Sequence, residues 1–120
     1  PRQVVTIAHQ EPRHDAGVVY GNVQTHDGTY GNIWTNIDRK TFNELQVVIG
    51  DPVQIRILQG EKVVLDLTAP YVRTFGEVEL GKPLLYMNSL DSVSLAINQG
   101  SFADYYQIGS GPDWSIQIHR

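Results

Sequence analysis

The chain has 120 residues, which fits one domain able to bury roughly two thirds of its unfolded surface. Hydrophobic residues make up 41% and charged residues 18%, an ordinary apolar share beside a low charged share that hints at a partly covered surface. Nine Lys and Arg against thirteen Asp and Glu leave a net charge of −4, with no basic run longer than Arg39-Lys40, which argues against a nucleic-acid or anionic-membrane binder; the lack of Cys excludes disulfides and thiolate chemistry.

Pro1 to Ala16 reads as an N-terminal arm or linker ahead of a domain spanning residues 17–120. Val4, Val5 and Ile7 are candidates for a short edge strand. The string His9-Gln10-Glu11-Pro12-Arg13-His14 resembles a metal-binding run, but its His residues are five apart and Pro12 breaks a helix. It is expected to be solvated linker, and no metal site is expected. A start at Pro1 rather than Met is expected of a processed chain or a piece of a longer one. No apolar run approaches the roughly 20 residues of a membrane span, and no signal-peptide pattern is visible. The cytoplasm is the favoured location.

From Gly17 the pattern turns to strands. Val18 to Val23 is β-branched and short, Asp27-Gly28 marks a turn, and Ile33 to Ile37 is a further strand. Thr41 to Leu45 is expected to form a helical turn with Thr41 as N-cap and Glu44 three residues on. Pro52 to Leu67 reads as a hairpin: Val53, Ile55 and Ile57 alternate with polar residues, Gln59-Gly60 turns, and Val63, Leu65 and Leu67 share one face. Pro83 to Ile97 reads as a second hairpin, turning at Ser89-Leu90-Asp91-Ser92. Leu84 to Met87 is apolar on both faces, and small Ser94 and Ala96 let another layer or a ligand approach the backbone. Ser101 and Asp104 suit the start of a short helix ending near Tyr106. Trp114, Ile116 and Ile118 alternate as a last strand. The fold class expected is all-β, mostly antiparallel and barrel-like, with one or two short helices.

No complete catalytic constellation is present. There is no Gly-rich phosphate loop and no nucleophile elbow, and the four His are scattered. Two stretches carry more polar groups than a sheet needs: Asp27 to Ile37, and Asn88 to Ser92 continuing through Asn98 to Ser101. An Asn side chain offers both donor and acceptor, which suits an adenine edge, and Tyr30, Trp34 and Phe75 offer flat faces for a base. Each Asn taken singly reads equally as a turn residue, and Trp34 as core.

The segment Asp27-Gly-Thr-Tyr-Gly-Asn32-Ile-Trp-Thr-Asn-Ile37 resembles that of the S-adenosylmethionine hydroxide adenosyltransferase family, which also contains the fluorinases and chlorinases. Thr74-Phe75 followed by Leu80-Gly81, Asn88-Ser89 to Asn98, and Asn98-Gln99-Gly100-Ser101 agree with it in the family's order, from about Gly17 to Arg120. The resemblance implies a β-barrel-like C-terminal domain whose missing companion is an N-terminal α/β domain. It implies trimers in which S-adenosylmethionine lies between the C-terminal domain of one subunit and the N-terminal domain of its neighbour. Water or halide then displaces methionine at the ribose 5′ carbon.

By the same resemblance Asp27 meets the methionine ammonium, Asn32 reads the adenine edge, and Tyr30 and Phe75 flank the base. Trp34 lies near the adenine and Ser89 contacts the methionine end. Asn98 and Gln99 belong to the closing Asn-x-Gly-Ser, with the Gln99 carbonyl facing adenine. The nucleophile-handling residues belong to the other domain, so no catalytic residue is expected here and the chain alone is expected to be inactive. S-adenosylmethionine is substrate, and no separate cofactor is implied. The halogenases carry Arg where this chain has Leu90 and Ile97. A hydrolase yielding adenosine and methionine is therefore the leading expectation. A halogenase of the same family and a non-catalytic β module are the alternatives.

Overall fold

A computed structural model describes residues 11–27 and 30–120. The expected strand at Val4, Val5 and Ile7, and His9 and Gln10 of the His9 to His14 string, lie outside the described residues; Arg13 and His14 of that string belong to an exposed strand paired with its neighbour rather than to a free linker. The elements in chain order are β1 (Arg13–Asp15), β2 (Val18–His26), β3 (Ile33–Asp38), α1 (Arg39–Asn43), β4 (Pro52–Gln59), β5 (Lys62–Pro70), a 3-10 turn (Phe75–Glu77), β6 (Pro83–Met87), β7 (Ser92–Ile97), α2 (Phe102–Tyr106) and β8 (Trp114–His119). The all-β, mostly antiparallel class read from the sequence is what the chain adopts, with two short helices. Among the described residues no helix is long and apolar enough to cross a membrane.

Strand order is β5-β4-β8-β2-β3-β7-β6, and a parallel bridge between Tyr71 and Leu85 brings the two ends of this path together, so the sheet nearly closes on itself. The nine-residue β2 makes this possible. Residues Val18 to Asn22 pair with β8, whereas Val23 to His26 pair with β3, with a register irregularity between Val23 and Thr25. Such irregularities raise the local twist and let one strand serve two sheet directions. Gly21 sits at the crossing. A Cβ there would lie 2.5 Å from Ile37 Cγ1 and 2.6 Å from Asn36 Oδ1, and that same oxygen accepts the Asn22 backbone N–H at 2.7 Å.

β1 closes a hairpin onto β2 through Ala16 and Gly17, both at positive φ, as a two-residue turn between twisted strands requires. Arg13 lies 4.1 Å above the Tyr20 ring.

Inward residues follow the period-two pattern. Val19, Val23, Ile33, Ile55, Ile57, Leu85, Leu95, Ile116 and Ile118 are fully buried in one core, with Phe42 of α1 and Phe102 of α2 closing it. Both expected hairpins form, the first running on to Pro70. One detail differs: the register slips between Ile57 and Leu58, which leaves Val64 as an extra residue. Val63 is therefore turned out, 47% exposed, while Val64 packs on the core with Leu65 and Leu67. A second correction concerns α1. Its N-cap is Asp38, not Thr41, because the Asp38 carboxylate accepts from both the Thr41 N–H and the Thr41 hydroxyl. The Thr41 hydroxyl holds the Asp38 carboxyl below its usual value. Ser101 caps α2 as expected, accepting from the Asp104 N–H at 3.1 Å.

Gly21→Ala should destabilise the fold by about 1–3 kcal/mol, because the added methyl must displace Ile37 or Asn36. Urea unfolding followed by circular dichroism checks this. The midpoint is expected to fall with an unchanged slope, and an unchanged midpoint would contradict the close crossing of β2 and β3.

Candidate functional site

The outer face of β3, β7 and β6 is unlike the rest of the surface. Register places Trp34 opposite Ser94, and Ser94 opposite Tyr86, so these three side chains stand abreast on adjacent strands. One row along, Ala96 stands opposite Leu84. Ser94 and Ala96 are fully buried, and their small side chains leave room for the segment Val72 to Leu80 to lie across the face. Val72, Leu84 and Ala96 form a separate small core there, joined by Phe75, Val78 and Tyr86. This is the covering layer that the small residues of β7 suggested.

The covering segment is pinned by two devices. Glu77 folds back so that its carboxylate accepts from the backbone N–H groups of Arg73 and Thr74, each at 3.0 Å, closing the 3-10 turn as a capping box. Asn98 donates its side-chain amide to the Val78 carbonyl at 2.8 Å. Phe75 is thereby held against the Tyr86 ring, edge to face, with centroids 5.5 Å apart.

Two clefts open on either side of the Phe75-Gly76 ridge. The first, about 720 Å³, is lined by Tyr30, Asn32, Phe75, Gly76 and the run Ile97 to Ser101. Its size suits a nucleoside or a somewhat larger ligand. The second, about 500 Å³, is lined by Trp34, Arg73, Thr74, Phe75, Gly76, Tyr86, Met87, Asn88 and Ser89. The eight residues expected at a site thus divide between neighbouring places. Tyr30, Asn32, Phe75, Asn98 and Gln99 line the first cleft, whereas Trp34 and Ser89 line the second, with Phe75 shared. Asp27 lines a shallow depression beside Tyr30, Gly31 and Ser101.

Individual roles follow from burial and bonding. Asn32 is 3% exposed and donates its amide to the Tyr86 hydroxyl at 3.2 Å. Tyr30 is 62% exposed at the edge of the first cleft. Asp27 organises the turn before them: its carboxylate accepts the Tyr30 N–H at 3.1 Å, and its carbonyl accepts the Gly31 N–H at 2.7 Å. Gly31, at φ +72°, touches α2 so closely that a Cβ would run into the Ser101 side chain. This contact fixes one wall of the cleft against the next. The Asn98 side chain lines the cleft and also holds the covering segment. Gln99 has φ +61° and is exposed, bending the chain so that its backbone borders the cleft. The Trp34 indole N–H is buried without a hydrogen-bond partner. No group of three His, Asp or Glu that could hold a metal ion occurs among the described residues.

Sequence reading passed over Tyr86, whose hydroxyl lies inside an apolar run. Burial pushes its phenol above the ordinary tyrosine value. Hydrogen bonding from Asn32 works the other way, and the Asp27 charge adds to the rise. The neutral phenol is thus the form the fold prefers.

These features define a class first: a near-closed β-barrel domain carrying an exposed cleft with a buried amide, aromatic faces and a Gly-containing backbone rim. Residues 21–115 match the family described as the SAM hydroxide adenosyltransferase C-terminal domain, and the chain belongs to that family. Among curated relatives, a protein named fluorinase from Actinoplanes sp. (strain N902-109) is 33% identical over 91% of this chain and 36% of its own length. Another of that name, from Actinopolyspora mzabensis, is 34% identical over 87% of the chain and 33% of its own length. The chain therefore spans about a third of the length of these relatives. A crystal structure of an uncharacterized conserved protein from Thermotoga maritima is similar with a TM-score of 0.82 at 28% identity, covering 93% of this chain and 40% of that one.

The raised phenol yields a pH test. Its stabilising contribution is complete below the unfolded tyrosine value, about 10, and is lost as pH rises through the folded one. Between about pH 9 and 11 the melting temperature of the wild type should fall more than that of Tyr86→Phe. Parallel curves for the two proteins would contradict the buried, neutral phenol.

Proposed function

We propose that residues 17–120 form the adenine-binding wall of an S-adenosylmethionine hydrolase, with residues 1–16 leading in from an N-terminal α/β domain. One observation carries the reading: Asn32, nearly buried, borders a cleft whose other sides are Phe75, Tyr30 and the Ile97 to Ser101 backbone. An amide beside flat apolar faces is what an adenine edge and its two faces need.

The second cleft, beyond the Phe75-Gly76 ridge, offers Ser89 and Arg73 to the methionine end, and Asp27 stands near enough to bear on the Tyr86 phenol. In the reaction a water oxygen bonds to the ribose 5′ carbon while the carbon–sulfur bond breaks. The electron pair passes to sulfur, giving methionine, and the water loses a proton, giving adenosine. A sulfonium is already a good leaving group, so the enzyme's work is chiefly orientation and exclusion of bulk water. Neither task is complete with one wall. The trimer and the neighbouring subunit's α/β domain supply the rest.

Halide is the rival nucleophile, since relatives named fluorinase are 33–34% identical. Against it stand Leu90, 70% exposed in the β6–β7 turn, and Ile97, buried to 6%, at the two positions where the halogenases carry Arg. The full-length protein incubated with S-adenosylmethionine and millimolar chloride or fluoride is expected to release adenosine. A 5′-halogenated nucleoside as main product would give the assignment to the halogenase.

For the adenine wall, Asn32→Ala should leave a base edge unpaired, costing about 1–3 kcal/mol, or roughly 5- to 150-fold in S-adenosylmethionine affinity. Calorimetric titration of the full-length variant, paired with its melting curve, checks this. Unchanged affinity with a lowered melting temperature would make Asn32 a turn residue instead.

A further inference from the structure

We propose that Tyr86 is a positioning residue that fixes which way round the Asn32 amide faces the cleft, and so makes the site select a 6-amino purine over a 6-oxo purine. This rests on the adenine-binding reading above and deepens it.

A directional chain of hydrogen bonds ends at Asn32. It starts in the β6–β7 turn, where the backbone N–H groups of Leu90 and Ser92 donate to Asn88 Oδ1 at 2.8 and 3.2 Å. A backbone N–H can only donate, so the Asn88 amide has one orientation. Its NH2 group then donates to Ser94 Oγ at 2.8 Å. Ser94 is fully buried and stands directly across from Tyr86, and having accepted from Asn88 it still has its own hydroxyl proton to donate. With that hydroxyl beside it, the Tyr86 oxygen serves as an acceptor. Asn32 completes the set by giving it an Nδ2–H at 3.2 Å. The turn itself is braced from outside, because Arg39 donates its backbone N–H to the Asp91 carbonyl at 3.0 Å and its guanidinium to the Asp91 carboxylate at 2.6 Å.

With Nδ2 anchored at Tyr86, the order of acceptor and remaining donor that Asn32 shows the cleft is set. A 6-amino purine presents an N–H donor next to a ring-nitrogen acceptor, and a 6-oxo purine presents a carbonyl acceptor next to a ring N–H. One amide orientation serves the first pattern, and the flipped amide serves the second. Without the phenol oxygen, Asn32 loses the partner that distinguishes its two ends, and either purine can be met by rotation of the amide. Phe75, set edge-on to the Tyr86 ring, keeps its place when only the hydroxyl is removed.

The test measures adenosine and inosine affinities by nuclear magnetic resonance titration of the 15N-labelled chain, for the wild type, Tyr86→Phe and Ser94→Ala. The wild type should prefer adenosine, and Tyr86→Phe should lower the adenosine-to-inosine ratio by about five-fold or more, the low end for one mispaired buried group. Ser94→Ala, which removes the upstream donor, should lower the ratio in the same direction. It decides the matter alone if Tyr86→Phe does not fold. A purely structural role for Tyr86 would weaken both nucleosides equally. An unchanged ratio in the folded variants overturns this inference and leaves the adenine wall standing. A wild-type chain that binds neither nucleoside at millimolar concentration overturns the adenine wall and this inference with it.

Discussion

The strand Val18–His26 pairs with β8 along its first half and with β3 along its second, and the rest of the molecule follows from that division. A strand that keeps one partner extends a flat sheet. One that changes partners part-way must twist, and the sheet then curls towards closure. Gly21 permits the crossing because β3 passes where a side chain would sit. The end of β2 then delivers the chain to the turn beginning at Asp27. That turn sends β3 back with Asn32 at its mouth, and the Tyr71–Leu85 bridge completes the ring on the far side.

Closure also explains where chemistry can lie. Among the described residues the barrel interior is filled by Ile, Val, Leu and Phe side chains. The two clefts beside Phe75 lie instead on the outer face of β3, β7 and β6, kept low by Ser94 and Ala96 and roofed in part by the segment Val72 to Leu80. The roof is local, held by Glu77 and Asn98, and it presents Phe75 as a ridge between two clefts. An exposed aromatic beside a cleft, as Tyr30 is, suits a surface completed by a second body. The low charge of the chain fits the same picture.

Alternating apolar residues made both hairpins and the last strand readable from the sequence, because one buried face fixes the register of each. The Asp27 to Ile37 and Asn98 to Ser101 stretches were readable as polar excess, and five of the eight expected site residues do line one cleft. Three features were not readable. The extra residue at Val64 leaves the local alternation intact on each side, so nothing in the string marks which of two neighbouring valines turns inward. Asp38 and Thr41 are both good capping residues, and only the strand's end decides between them. Tyr86 reads as one more apolar residue of a covered strand. Its hydroxyl acquires meaning from Asn32, 54 residues away, and from Ser94 across the ladder. Asn98 shows the converse. Its residue type suggested a ligand contact, and its amide also ties down the roof that positions Phe75.

The proposed adenine wall is tested directly by isotope-filtered nuclear Overhauser measurement on the 13C-labelled chain with unlabelled adenosine. Contacts from the adenine ring protons to the Phe75 ring and to the Gly100 α-protons are expected, with none to the Trp34–Arg73 side of the ridge. Adenine contacts confined to that second cleft, or to another face of the barrel, would contradict the placement of the base beside Asn32.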